Sequence, residues 1–378
     1  MIYLDHAAAT PVSAKALEAM TPYFAEQFFN PSAAYLPAKK IREAYEDAKA
    51  RIAHCIGAKG SDLVMTSGAT EATNLAFTIV TKKCLYLATE HDSVRKIAEK
   101  HHGTAINVDH TGLIDLKDFR SKLNDEIELV SISLANNEIG TIQPIAEIAQ
   151  ILRDVKMDRL KRDVTTPIYL HSDASQALNL IDISVARLGV DLMTLNAAKV
   201  YGPKGVGALY VGHGIKLQPI SYGGGQERGL RSGTENVAGT IGFAVAFEEA
   251  KTHLNGNRKK YEKLSKILKD ELRTAAIEPI FLGNKKHQLL NFVPVCFAGL
   301  DAERLIYKLE DQDVYVSTGA ACAASKGQKS HVLTAIGLSE QEIAGSLRIS
   351  LGALNDEENV LAAAKIIKQV IKEEHDRK

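Results

Sequence analysis

Lys199 stands between an apolar run and a glycine-rich turn, in Asn196-Ala-Ala-Lys-Val-Tyr-Gly-Pro-Lys-Gly-Val-Gly-Ala-Leu-Tyr210. Val190 to Leu195 reads as a mostly buried strand ending at Asn196, and Ala208 to Val211 as the strand after the turn. A lysine at a strand end projects into a cleft, where partial desolvation lowers its pKa toward nucleophilic use. Most loop lysines are solvated, so this one needs chemical partners. Other strand ends supply them. Thr66-Ser-Gly-Ala-Thr-Glu71 joins strand to helix with small residues whose N–H groups can cradle an anion such as phosphate. Thr89-Glu-His91 brings an imidazole, Asn136-Asn-Glu-Ile-Gly140 hydrogen-bonding side chains, and His171-Ser-Asp-Ala-Ser-Gln176 a carboxylate.

The cysteines divide in two groups. Cys55, Cys84 and Cys296 have apolar or helical neighbours and read as small core residues, whereas Cys322 lies in Thr318-Gly-Ala-Ala-Cys-Ala-Ala-Ser-Lys-Gly-Gln-Lys-Ser330. Small residues on both sides suit a mobile loop that delivers a thiolate. No CxxC pair occurs, so metal-ligand spacing is absent and reduced thiols are expected.

The elements that must position these residues alternate from residue 62 onward. Strands are expected at 63–66, 84–88, 104–108, 127–135 and 168–171, and helices at 69–80, 92–101, 115–123 and 144–155. That order implies a mostly parallel sheet flanked by helices, with function at the carboxyl ends of the strands. Ahead of it, Ile41, Tyr45, Ala48 and Ile52 mark an amphipathic helix that stops at Gly57. Arg153 to Asp163 reads as a solvated helix end and loop. The glycine-rich stretch from Tyr222 to Asn236 precedes one long helix from about residue 238, and an α+β pattern follows. There, Ser339 and Glu342 have capping-box spacing, and 346–351 is a strand.

With 378 residues the chain can bury a large core and divide into two domains. Its 46 basic and 46 acidic residues balance, so no overall pull toward nucleic acid or an anionic membrane is visible. No run approaches the ~18 apolar residues of a membrane span, and the amino terminus lacks a leader pattern, so a cytoplasmic location is expected.

A phosphate cradle, a strand-end aspartate, a histidine and a lysine two strands later resemble the pyridoxal-phosphate enzymes of fold type I. The match is sharper with the cysteine desulfurases of the class V aminotransferase family. It spans nearly the whole chain: Tyr3-Leu-Asp-His-Ala-Ala-Ala-Thr-Pro11, the strand ends above, Gly223 to Thr234, Ser317-Thr-Gly-Ala-Ala-Cys322 and Arg348-Ile-Ser-Leu-Gly352. The resemblance implies a large α/β domain with a seven-stranded sheet over residues 13–248. It also implies a smaller α+β domain from 1–12 and 249–378, carrying the cysteine loop at about 318–330.

The roles it implies are these. Lys199 forms the Schiff base with pyridoxal 5'-phosphate and shuttles the Cα proton, Asp173 pairs with the pyridinium nitrogen, and His91 stacks on the ring as an acid-base group. Asn137 and Gln176 lie near the ring oxygen and the substrate. Ala69 and Thr70 hold the phosphate with Thr234 of a partner subunit, making the active form a homodimer. Arg348 grips the carboxylate of L-cysteine, with Asn137 and Asn30 also on the substrate side. Cys322 takes the sulfur as a persulfide and leaves L-alanine. The longer cysteine loop resembles the branch that passes sulfur to an iron-sulfur scaffold or a tRNA-thiolating enzyme, without direct nucleic-acid or membrane contact.

Departures from the pattern fall beside the lysine. Relatives carry histidine and a serine or threonine where this chain has Ala198 and Asn196, and both normally serve the phosphate; the Asn196 amide can substitute. Tyr35-Leu36 and Ala353 replace a serine-histidine pair and a second arginine. Two other functions fit the same residues: a selenocysteine lyase or other β-eliminating lyase, and a scaffold protein that has kept the fold without the chemistry.

Overall fold

The computed structural model describes residues 1–318 and 329–377. Its main sheet has seven strands: β2 (Leu63–Thr66), β3 (Lys83–Leu87), β4 (Thr104–Ile106), β5 (Ile127–Ser131), β6 (Tyr169–Asp173), β7 (Leu192–Asn196) and β8 (Gly207–Val211), following the short amino-terminal β1 (Ile2–Tyr3). Their spatial order is β2-β8-β7-β6-β5-β3-β4. The run from β7 to β4 is parallel, as expected, and β8 and β2 close the other side antiparallel. Strands buried on both faces carry apolar side chains at successive positions. Val64, Leu129, Leu192 and Leu209 face the helices Ala69–Phe77 and Asp92–Lys100. Leu63, Met65, Val130, Met193 and Leu195 face the opposite layer, to which Leu36–Cys55, Ile145–Lys161 and Val237–Thr252 belong.

A four-stranded sheet of order β12-β13-β10-β9 is built from β9 (Ile280–Phe281), β10 (Phe292–Cys296), β12 (Ser317–Thr318) and β13 (Ser346–Ser350). It is antiparallel throughout. β11 (Val314–Tyr315) pairs instead with β1, Ile2 opposite Val314, so the amino-terminal strand is held by a segment far along the chain. The helices Leu254–Leu272, Ala302–Glu310 and Glu357–Asp376 cover this part. Ser339 caps its helix in the predicted box, its side chain accepting from the backbone of Glu342 while the Glu342 carboxylate accepts in return.

Three expectations need correction. The helix at 144–155 runs from Ile145 to Lys161, and its Arg159 is buried rather than solvated. Arg159 donates to the carbonyls of Thr166, Pro167, Asn124 and Ile127, tying the helix end to two loops. The single long helix after the glycine-rich stretch is two, Val237–Thr252 and Leu254–Leu272, broken at His253. The strand expected over 127–135 ends at Ser131, although Ile132 and Leu134 still donate to the carbonyls of His171 and Asp173.

Candidate active site

The carboxyl ends of β3, β5, β6 and β7 converge on a cavity of about 260 Å³. Asn136 sets the spacing of the first two. Its side-chain nitrogen donates to the Thr89 carbonyl after β3, and its oxygen accepts from the N–H groups of Glu138 and Ile139 after β5. Asn137 is thereby turned into the cavity. At the end of β6, Asp173 is 8% exposed and accepts from the Ser175 N–H at 2.9 Å, leaving its other oxygen for a ligand. After β7 the chain winds into one tight turn, Ala197–Lys199, capped by Asn196, whose Oδ1 accepts from the Ala198 N–H at 3.1 Å. That turn aims Lys199 at the amino-terminal segment, where Nζ donates to the carbonyls of Ala7 at 2.9 Å and Ala8 at 2.5 Å.

His91 caps the helix Asp92–Lys100. The Ser93 N–H donates to His91 Nδ1 at 3.1 Å, so the ring proton belongs on Nε2. Burial holds its pKa below the ordinary imidazole value, against the opposing pull of Asp173. Across the cavity, Gly68 starts the helix Ala69–Phe77 with no side-chain cap. The first-turn N–H groups at Ala69 and Thr70, which line the cavity, have no intrahelical acceptor. Arg348 enters from β13, only 5% exposed, with Nη2 on Asp5 Oδ1 at 2.7 Å and Nη1 on the Asn137 carbonyl at 3.2 Å.

Of the site residues read from the sequence, Lys199, His91, Ala69, Thr70, Asn137, Asp173, Gln176, Asn196 and Arg348 line this one cavity. Asn30 does not: it is exposed, and its side chain accepts from the Ser32 N–H. Thr234 is also exposed and outside the lining. Cys322 lies outside the described residues. The three remaining cysteines are buried, as expected, and burial pushes the thiols of Cys55 and Cys296 up to about 11 and that of Cys84 to about 12.

Four functional candidates were missed. Glu90, fully buried, accepts from the N–H and hydroxyl of Ser133, and burial pushes it up to about 8. Glu138 accepts from Ser330 Oγ at 2.6 Å and is pushed up to about 7 by burial. His331 lines the cavity and donates through Nε2 to the Glu90 carbonyl at 2.8 Å. Asp5 pairs with Arg348. Each lies in or beside a quoted motif, but only burial and distant partners set it apart.

An uncapped helix start, a buried carboxylate and a lysine around one cavity fit a ring that carries a phosphate, a protonated nitrogen and an aldehyde. Among the described residues no group of three or more His, Cys, Asp or Glu could hold a metal ion, and no helix is long and apolar enough to cross a membrane.

Residues 2–362 match the family model described as aminotransferase class-V, and the chain belongs to that family of pyridoxal-phosphate-dependent enzymes. A putative cysteine desulfurase IscS 1 of Bacillus subtilis is 38% identical over 384 residues, covering 98% of both chains. A NifS-like protein from Rickettsia africae superposes with a TM-score of 0.89 at 29% identity, over 98% of this chain and 99% of that one. A structure described as SspA in complex with cysteine superposes with a TM-score of 0.79 at 32% identity, over 93% and 99%.

Proposed function

We propose that this chain is a cysteine desulfurase that converts L-cysteine to L-alanine and holds the sulfur on Cys322 as a persulfide. The observation that carries the proposal is the convergence of Lys199, Asp173, His91 and Arg348 on one cavity, in a chain whose relatives are named for this activity. Cysteine bound to the similar protein SspA supports the substrate.

Ala69 and Thr70 would hold the cofactor phosphate through backbone N–H groups, joined by Thr234 of a partner subunit in a homodimer. Asp173 holds the proton of the ring nitrogen. Lys199 would hold the cofactor through its aldehyde, and Nζ would carry the proton taken from the substrate Cα. His91, as a neutral imidazole, would hold the ring together with Asn137 and Gln176, which line the same cavity. Arg348 grips the substrate carboxylate. When bound, pyridoxal 5'-phosphate supplies the electron sink that lets the substrate Cβ–S bond break. The Cys322 thiolate attacks the substrate sulfur: an S–S bond forms, the C–S bond breaks, and the carbon fragment takes a proton to leave as alanine. An iron-sulfur scaffold or tRNA-thiolating enzyme in the cytoplasm then receives the sulfur.

The test is alanine and sulfide release from L-cysteine with a reductant. Cys322→Ser should abolish turnover while keeping the visible absorption of bound cofactor, and Lys199→Ala should lose that absorption. Unchanged turnover in Cys322→Ser would sink the persulfide step. A protein that stays colourless with added cofactor would instead leave a fold without the chemistry.

A further inference from the structure

Asp5 takes no part in the chemistry above, yet it touches the centre of the site. It continues β1 and bridges in parallel to Ser350, beside the strand that carries Arg348. Its Oδ1 accepts from Arg348 Nη2 at 2.7 Å, with the aspartate side chain 15% exposed and the arginine 5%. A guanidinium this deep needs a counter-charge, because an uncompensated buried cation is strongly destabilising. Asp5 provides it.

The pairing also fixes direction. With Nη2 tied to Asp5 and Nη1 to the Asn137 carbonyl, the guanidinium plane cannot turn about its own axis. Nε is buried with no partner among the described residues, and each terminal nitrogen keeps a second hydrogen. The second hydrogens of the terminal nitrogens remain for an incoming carboxylate. Three residues further on, the same segment reaches the lysine. Ala7 accepts from Gln176 Nε2 at 3.0 Å, Lys199 Nζ donates to Ala7 and Ala8, and the Ala7 N–H donates to Ser350 Oγ at 2.9 Å. One short stretch therefore spans the group that handles the substrate amine and the group that grips its carboxylate.

We propose that Asp5 is a positioning residue that orients Arg348 toward the substrate carboxylate and, through residues 5–8, sets its separation from Lys199, selecting α-amino acids. This rests on the reading of Arg348 as the carboxylate grip. Asp5 itself does not touch substrate, and its effect falls on binding rather than on the bond-breaking step.

The experiment compares KM and kcat for L-cysteine in the wild-type holoenzyme, Asp5→Asn, Arg348→Ala and the double variant. It also measures the inhibition constant of cysteamine, which has the amine and thiol without the carboxylate. Loss of the oriented charge-assisted bond should raise KM in Asp5→Asn by about tenfold, with kcat changed less than about twofold. The cysteamine constant should hold, and Asp5→Asn should add nothing in the Arg348→Ala background. Asp5→Glu, which keeps the charge, should recover most of the affinity, and it also serves if Asp5→Asn folds poorly. A raised KM in Arg348→Ala beside an unchanged KM in Asp5→Asn overturns the proposal, as does an equal rise for cysteamine. An unchanged KM in Arg348→Ala removes the carboxylate grip itself, a separate failure that takes the proposal with it.

Discussion

Glu90 shows how much one side chain can be set by its surroundings. Fully buried, with Ser133 the only hydrogen-bond donor to its carboxyl among the described residues, it is pushed up by burial from the ordinary 4.5 to about 8, so it is mostly protonated at neutral pH. A carboxyl with a raised native pKa contributes stability that is complete below the ordinary value and is lost as pH rises through about 8. Buried His171, between Ser131 and Thr194 and held at about 4, works in the opposite sense: its contribution is present above the ordinary 6.5 and is lost as pH falls through about 4. Denaturant unfolding should therefore show wild-type stability falling between pH 6 and pH 8.5. Glu90→Gln, which keeps the shape without the charge, should flatten that fall by on the order of 2 kcal/mol; an unaltered slope would mean that Glu90 is not the group responsible. Strand ends made Asp173, His91 and Lys199 legible in the sequence, because position along the chain already implies the cleft. Glu90 and Glu138 lay inside the same motifs and stayed hidden, since their burial depends on Ser133 and Ser330 arriving from elsewhere.

Among elements, the amino-terminal segment carries more of the site than its two-residue strand suggests. It is packed so tightly that a Cβ placed on Gly352 would come within 1.9 Å of the His6 ring. Gly352→Ala must therefore push His6 aside, and with it the backbone between Asp5 and Ala7. We expect a loss of about 1–3 kcal/mol in thermal or denaturant unfolding, the usual range for overpacking, together with a raised KM for L-cysteine. A variant with wild-type stability and KM would show that the segment yields freely. The pattern of alternating strands and helices announced the parallel sheet, because each βα unit is a local signal. The antiparallel pairing of β2 and β8 was not announced, since nothing local distinguishes a strand that pairs backward. Arg159 misled for a related reason: a charged helix end reads as solvated, and the carbonyls that bury it come from separate loops.

At the scale of the whole molecule, the glycine-rich stretch is anchored from beneath. Glu227, at positive φ, accepts from Tyr45 Oη, from Lys49 Nζ and from the Met65 N–H, a buried cluster that ties it to the helix Leu36–Cys55 and to β2. Glu235 meets Arg42 at 2.6 Å. Between these anchors Thr234 stays exposed, outside the cavity of its own chain. If it serves a partner's phosphate, two defective chains should complement each other. Mixing Lys199→Ala with Thr234→Ala subunits should restore one intact site per mixed dimer, read as recovered cofactor absorption and turnover above either parent. Activity no higher than that of Thr234→Ala alone would return Thr234 to its own subunit.

The pairing of Ile2 with Val314 also has a meaning in time. A ribosome delivers the first strand long before its partner, and Asp5 emerges well ahead of Arg348 and Ser350. The seven-stranded sheet, complete by Val211, can assemble while the chain is still being made. The substrate end of the cavity cannot. On the proposed reading of the site, a nascent chain can thus gather the cofactor-facing residues early, but it forms the Asp5–Arg348 pair that orients the carboxylate grip only when synthesis has passed residue 350.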